Sequence, residues 1–123
     1  MVEKIVSPAV FGGGSDFRNL LKDIEERYSE AFAELGPGVL QHFKHLIDCV
    51  DEFFNLLADP KTDFRVKLMD YAKIKSDVFE LCRFYARWLG NPLMERLEAE
   101  IYGILEEAMD WWRQHLIGEM EGS

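Results

Sequence analysis

The chain has 123 residues, 48% apolar and 13% aromatic, and its 14 Lys and Arg against 23 Asp and Glu give a formal net charge of −9. One domain around one buried core fits that length, and the apolar share excludes a chain disordered throughout. The acidic balance disfavours a duplex-binding surface and an anionic membrane, because both are contacted mainly through Lys and Arg.

No apolar run approaches the about 20 residues of a membrane span. Met1 to Pro8 lacks the apolar stretch of a secretory signal, and Cys49 and Cys82 fall on different predicted helices and make no disulfide framework. The expected location is therefore the cytoplasm.

Residues 1–15 read as an extended apolar, Gly-rich arm: Ile5 to Phe11 are apolar around Ser7-Pro8, and Gly12-Gly13-Gly14 reads as a hinge. A phosphate loop would need Lys-Ser/Thr after the glycines, where Ser15-Asp16-Phe17 stands instead. The first helix is predicted from about Ser15 or Asp16 to Leu35, with Phe17, Leu20, Leu21, Ile24, Tyr28, Ala31, Phe32 and Leu35 on one stripe and Asp23, Glu26, Glu30 and Glu34 outside. Gly36-Pro37-Gly38 ends it. The second helix runs to Ala58 and turns Leu40, Phe43, Leu46, Ile47, Val50, Phe53, Phe54 and Leu57 inward.

The third helix is expected to open at Asp59-Pro60, Asp as N-cap and Pro in the first turn, and to reach Leu89. Its inward stripe is Phe64, Leu68, Tyr71, Ile74, Val78, Leu81, Cys82, Tyr85, Trp88 and Leu89. Gly90-Asn91-Pro92 separates it from a fourth helix carrying Leu93, Leu97, Ile101, Ile104, Leu105, Ala108, Met109 and Trp112 inward, with Gly103 inside it. The predicted fold is all-α: an up-down-up-down four-helix bundle over residues 16–118, preceded by the arm and followed by a disordered tail at 119–123. The third and fourth helices read as longer than the first two. Their hairpin is expected to project past the Gly36-Pro37-Gly38 turn and to carry Phe84, Tyr85, Trp88, Leu89, Leu93, Met94 and Leu97 at its tip.

Several constellations bear on chemistry. His42, His45 and Cys49 share one flank of the second helix near Asp48 and Glu52, a spacing at which two side chains grip one metal ion. A ferritin-like di-metal bundle would show Glu-x-x-His, which the chain lacks, so no metal ligands are assigned. Glu95-x-x-Glu98 and Glu107-x-x-Asp110 resemble in part the magnesium motifs of all-helical nucleotide pyrophosphatases. Both pairs lie here on one helix, without the facing-helix geometry a magnesium site needs, and the residues are not carried over. Trp88-Leu89-Gly90 with Tyr102 and Glu106 looks like the Trp-x-Gly turn and tyrosine signal of small helical-hairpin secretion substrates, but Tyr102 stands early in its helix and two further helices precede the match. His115 projects beside Trp111 and Trp112 with no nucleophile or orienting group in reach of any sequence pattern. No catalytic residue, cofactor ligand or cofactor is assigned.

Half of the Lys and Arg residues lie in or beside the third helix: Lys61, Arg65, Lys67, Lys73, Lys75, Arg83 and Arg87. Pairs at contact spacing are Asp63 with Lys67, Lys73 with Asp77, and Glu80 with Arg83. Val66, Met69, Phe79 and Phe84 project outside the arc that faces a bundle, which points to a second contact surface. The reading is a non-enzymatic bundle that works through protein–protein contact as a homodimer, with Arg65, Phe79, Arg83, Phe84, Arg87, Trp88 and Met94 as the contact residues. A bundle enzyme, a metal- or nucleotide-binding protein, and a subunit contacting RNA through the basic face of the third helix are the alternatives.

Overall fold

The structure is a computed structural model that describes residues 13–114, with side chains from Phe17 onward. The apolar arm up to Gly12, His115 and the tail lie outside the described residues. The four helices are α1 (Gly13–Glu34), α2 (Pro37–Ala58), α3 (Phe64–Leu89) and α4 (Asn91–Trp112), with no strand among the described residues. None of these helices is long and apolar enough to cross a membrane.

Consecutive helices are antiparallel neighbours, joined by short turns and in contact along each pair. Phe32 stacks on Phe43 with ring centroids 4.4 Å apart beside the α1–α2 turn, while Phe17 meets Phe54 at 5.8 Å at the opposite end. His42 lies against Tyr85 and Phe53 against Tyr71 along α2 and α3. Arg27 and Tyr28 of α1 both donate to Glu100 of α4, closing the ring of helices. α2 also touches α4 across the middle. Seven residues of α2 are buried, and Phe43, Val50, Phe53, Phe54 and Leu57 have no exposed surface at all. The up-down-up-down bundle is thus the observed fold.

Two turns follow the expected chemistry. Gly36 (φ 127°) and Gly90 (φ 96°) take backbone angles that side chains disfavour, and each is followed by a proline at N1 or N2 of the next helix. The third turn differs. Asp59 does not cap α3; its carboxylate accepts from the Lys61 N–H (2.9 Å) and the Thr62 hydroxyl (3.0 Å), forming a local turn with Pro60 inside it. Asp63, a second N-cap residue type, accepts from the Arg65 N–H at 3.0 Å and starts the helix four residues later than expected. At the other end of the chain, α1 begins at Gly13, so Gly13, Gly14 and Ser15 of the expected arm form its first turn. First-turn N–H groups lack helical partners, so residue type is weakly constrained there.

Three positions of α3 depart from the expected inward stripe and one from the expected outer face. Phe64 and Leu68, expected inside, are exposed by 54% and 42%, as is Trp88, by 53%. Lys67, expected to pair with Asp63 outside, is 2% exposed. Its ammonium donates to the Leu57 carbonyl at 3.0 Å and lies 5.4 Å from the Trp112 ring centre. The α2 C-terminus, with its unsatisfied carbonyls and negative dipole end, is what draws a long cationic side chain inward here.

The projecting hairpin is also corrected. α3 has 26 residues and each of the other helices 22, an excess of about one turn, or about 6 Å. Tyr85, Met94 and Leu97 are buried, and Leu89 and Leu93 pack against the core. Phe32 meets the Tyr85 ring edge-on at 5.6 Å, so the α1–α2 end of the bundle already covers that level of α3. Only Phe84 and Trp88 of the expected tip stand in water.

Two expectations follow. Gly103 is exposed within α4, and a Cβ added there meets nothing within 4 Å. Gly103→Ala should therefore raise stability by about 1 kcal/mol in urea unfolding, and a loss would show that the glycine serves a close approach absent from the monomer. Burial pushes the Lys67 ammonium below its ordinary value of 10.5, with the Asp59 carboxylate opposing the shift. The unfolded chain then binds the extra proton, so stability contributed at Lys67 rises with pH through the lowered folded value and levels off above the unfolded one. Unfolding compared with Lys67→Met from about pH 8 upward should show the natural protein gaining relative to the variant; a constant difference would put the ammonium in water-like surroundings.

Candidate functional site

α3 is held to the bundle by Ile74, Val78, Leu81, Cys82 and Tyr85, all buried. These anchors span an arc of about 100°, from Leu81 to Cys82, and residues that fall well outside that arc are turned toward water. Phe79 and Phe84 are accordingly exposed by 45% and 47%, and Trp88 by 53%. Helical spacing then brings cations onto their rings. The Arg83 guanidinium lies 4.7 Å from the Phe79 ring centre, and Arg87 lies 4.9 Å from Phe84 and 5.1 Å from Trp88. Phe84 and Trp88 pack edge to face at 5.2 Å. Neither Arg83 nor Arg87 forms an ion pair among the described residues.

Five of the seven residues assigned to contact therefore lie on the exposed side of α3 in two groups, Phe79 with Arg83 on one flank and Phe84, Arg87 and Trp88 on the other. Arg65 is exposed but sits about 27 Å from Arg83 along the helix axis. Met94 is 1% exposed and belongs to the core. Its position beside the α3–α4 turn suggested exposure, but that end is closed by the bundle itself.

Beside this face a groove of about 570 Å³ runs between α2 and α3, lined by His42, His45, Leu46 and Cys49 on one wall and Asp77, Glu80, Leu81 and Phe84 on the other. His42 Nδ1 shares a hydrogen bond with the Tyr85 hydroxyl at 3.1 Å, and His45 Nε2 lies 3.7 Å from Cys49 Sγ. Burial pushes the Cys49 thiol up, and the carboxylates of Glu52, Asp77 and Asp70 add to that against Lys73. A raised thiol is a poor metal ligand, since the thiolate is the binding form. Among the described residues, no three of His, Cys, Asp and Glu group closely enough to hold an ion.

The lysines of α3 are engaged. Lys73 pairs with Asp77 at 3.1 Å as expected, and Lys75 pairs with Glu106 at 3.4 Å. The Lys75 ammonium also lies 5.2 Å and 5.0 Å from the Tyr71 and Tyr102 ring centres. Tyr71 donates to Glu106, and the Tyr102 hydroxyl donates to the Lys75 carbonyl at 3.2 Å. Burial first, then a hydrogen bond with Glu98, pushes the Tyr102 phenol up to about 12. This cluster clamps α3 to α4, a role that spacing within one helix does not reveal. Asp63–Lys67 and Glu80–Arg83 do not form among the described residues, because Asp63 caps α3, Lys67 turns inward and Arg83 stacks on Phe79.

Chemically, the outer face of α3 offers stacking, apolar area and two carboxylate-binding forks. The thiols provide a check on the neighbouring walls. Cys82 is 2% exposed, and burial pushes it up to about 12. Alkylation by iodoacetamide near neutral pH should modify Cys49 slowly and Cys82 only after unfolding. Equal labelling of both thiols in the native protein would show that the α3–α4 seam opens. Comparison of the chain with protein-family models, with characterised proteins and with solved structures gives no match.

Proposed function

We propose that this helical bundle works through protein–protein contact as a homodimeric adaptor or complex subunit, joined along the outer face of α3. The observation that carries this reading is the pair of half-exposed aromatic patches on the two flanks of α3, Phe79 under Arg83 and Phe84 with Trp88 under Arg87, whose arginines form no ion pair among the described residues. Exposed aromatic side chains and Arg dominate the energetic centres of protein interfaces. Covering the remaining surface of each ring is worth about 1 kcal/mol.

A second copy is the favoured occupant on grounds of charge. α3 is the one helix of the four in which cations outnumber carboxylates, six against three. Within it, residues 77–87 carry two carboxylates, Asp77 and Glu80, and two guanidiniums, Arg83 and Arg87, so two copies of this stretch can meet with opposite charges paired. Closed two-fold pairing is also the commonest assembly of small proteins. With α3 covered, the acid-rich outer faces of α1 and α4 remain free, so the dimer presents two identical acidic surfaces to further proteins.

Sedimentation equilibrium at micromolar concentration tests this. The expected result is a particle of twice the chain mass that Phe84→Glu or Trp88→Glu returns to monomer. A strict monomer overturns the homodimer. A dimer that tolerates both substitutions moves the interface away from α3, and a gel shift with single-stranded RNA that Arg83→Glu abolishes would replace the reading with nucleic-acid contact.

A further inference from the structure

Resting on the homodimer reading, we infer that the two α3 helices cross antiparallel about a two-fold axis at Leu81–Cys82, with Asp77 and Glu80 of one copy facing Arg87 and Arg83 of the other. Over residues 77–87 of α3 the charges are segregated by sign: Asp77 and Glu80 precede, Arg83 and Arg87 follow. Glu80 and Arg83 flank Leu81–Cys82, and Asp77 and Arg87 lie five positions on either side of Cys82. One register therefore serves both pairs. Phe79 and Phe84 bracket the same point, so the rings border the charges and exclude water from them.

The groups are available for this pairing. Arg83, Arg87 and Glu80 have no ion-pair partner among the described residues, and Asp77 has only the exposed Lys73, at 3.1 Å. Asp77, Glu80 and Phe84 also line the α2–α3 groove, so a guanidinium arriving from a second copy enters beside two carboxylates. A parallel arrangement would set arginine on arginine and carboxylate on carboxylate, at the one place where the rings seek cover. Like-charge juxtaposition is the element that rejects it.

A charge-swap experiment tests the register, using native mass spectrometry and sedimentation with Phe84→Glu as the interface control. Glu80→Arg alone leaves cations against cations, and Arg83→Glu alone leaves carboxylates against carboxylates. Each should weaken self-association by about tenfold or more. An equimolar mixture of the two variants should dimerise as heterodimers, and the two changes combined in one chain should restore the homodimer. Single variants that associate normally, or a mixture that fails to form heterodimers, overturn the register while Phe84→Glu still reports on the α3 face. Loss of effect from Phe84→Glu as well would place the failure in the underlying dimer reading. Glu80 and Arg83 are exposed, so unchanged circular dichroism is expected for every variant.

Discussion

The arrangement of the bundle depends on α2 being packed on three sides. Like α4 it touches all three other helices, and its aromatic side chains are enclosed from each direction. Phe43 stacks on Phe32, Phe54 meets Phe17, and Phe53 meets Tyr71. Large rigid rings interdigitate in few ways. Once they are placed, the rotation of α3 about its own axis is set by Leu81 and Tyr85 against α2 and by the seam with α4. Phe79, Phe84 and Trp88 are then left outside by geometry, since a helix cannot turn more than about half its circumference toward one core. The exposed face of α3 follows from its packing between α2 and α4.

The parts of this fold legible in the sequence are those decided within one helix. Helical periodicity identified Phe17, Leu21, Ile24, Phe43, Ile47, Val50, Val78 and Leu105 as core, and all are buried. Gly36-Pro37 and Gly90-Pro92 were legible because positive φ and a proline-led first turn are local requirements. What was not legible depends on where a neighbouring helix ends. Phe64 and Leu68 continue the apolar stripe of α3 but lie near the α2 C-terminus, while Lys67 reaches the Leu57 carbonyl that this terminus exposes. The overhang of the second hairpin was overstated for the same reason: Asp59 and Asp63 are both acceptable caps, and only Asp59's bonds to Lys61 and Thr62 decide between them.

The contact face divides along the same line. Phe79, Arg83, Phe84, Arg87 and Trp88 were recognisable as apolar and cationic groups in excess of one buried stripe. Met94 was not, because its burial is settled by the helices around it. Ion pairs read from spacing fared unevenly. Lys73–Asp77 forms where nothing competes, whereas Asp63 and Arg83 have better partners in the Arg65 N–H and the Phe79 ring. Exposed pairs are each worth only a few tenths of a kcal/mol, so a cap or a ring readily outbids them.

The cations of α3 are sorted by type as well as by place. Its lysines are occupied within the molecule: Lys67 on the α2 carbonyl end, Lys73 on Asp77, Lys75 between two tyrosines and Glu106. The arginines remain on the outside, and two of them lie on aromatic rings. A guanidinium is more weakly hydrated than an ammonium, stacks flat on a ring, and presents a fork that matches a carboxylate. Covering Arg83 and Arg87 with another protein surface thus costs less desolvation than covering lysines would. The rings that hold them also limit the side-chain entropy lost on contact. Beyond about 10 Å at ordinary salt the repulsion between two acidic chains is screened, so the balance at this face is set by these short-range terms and not by the total charge.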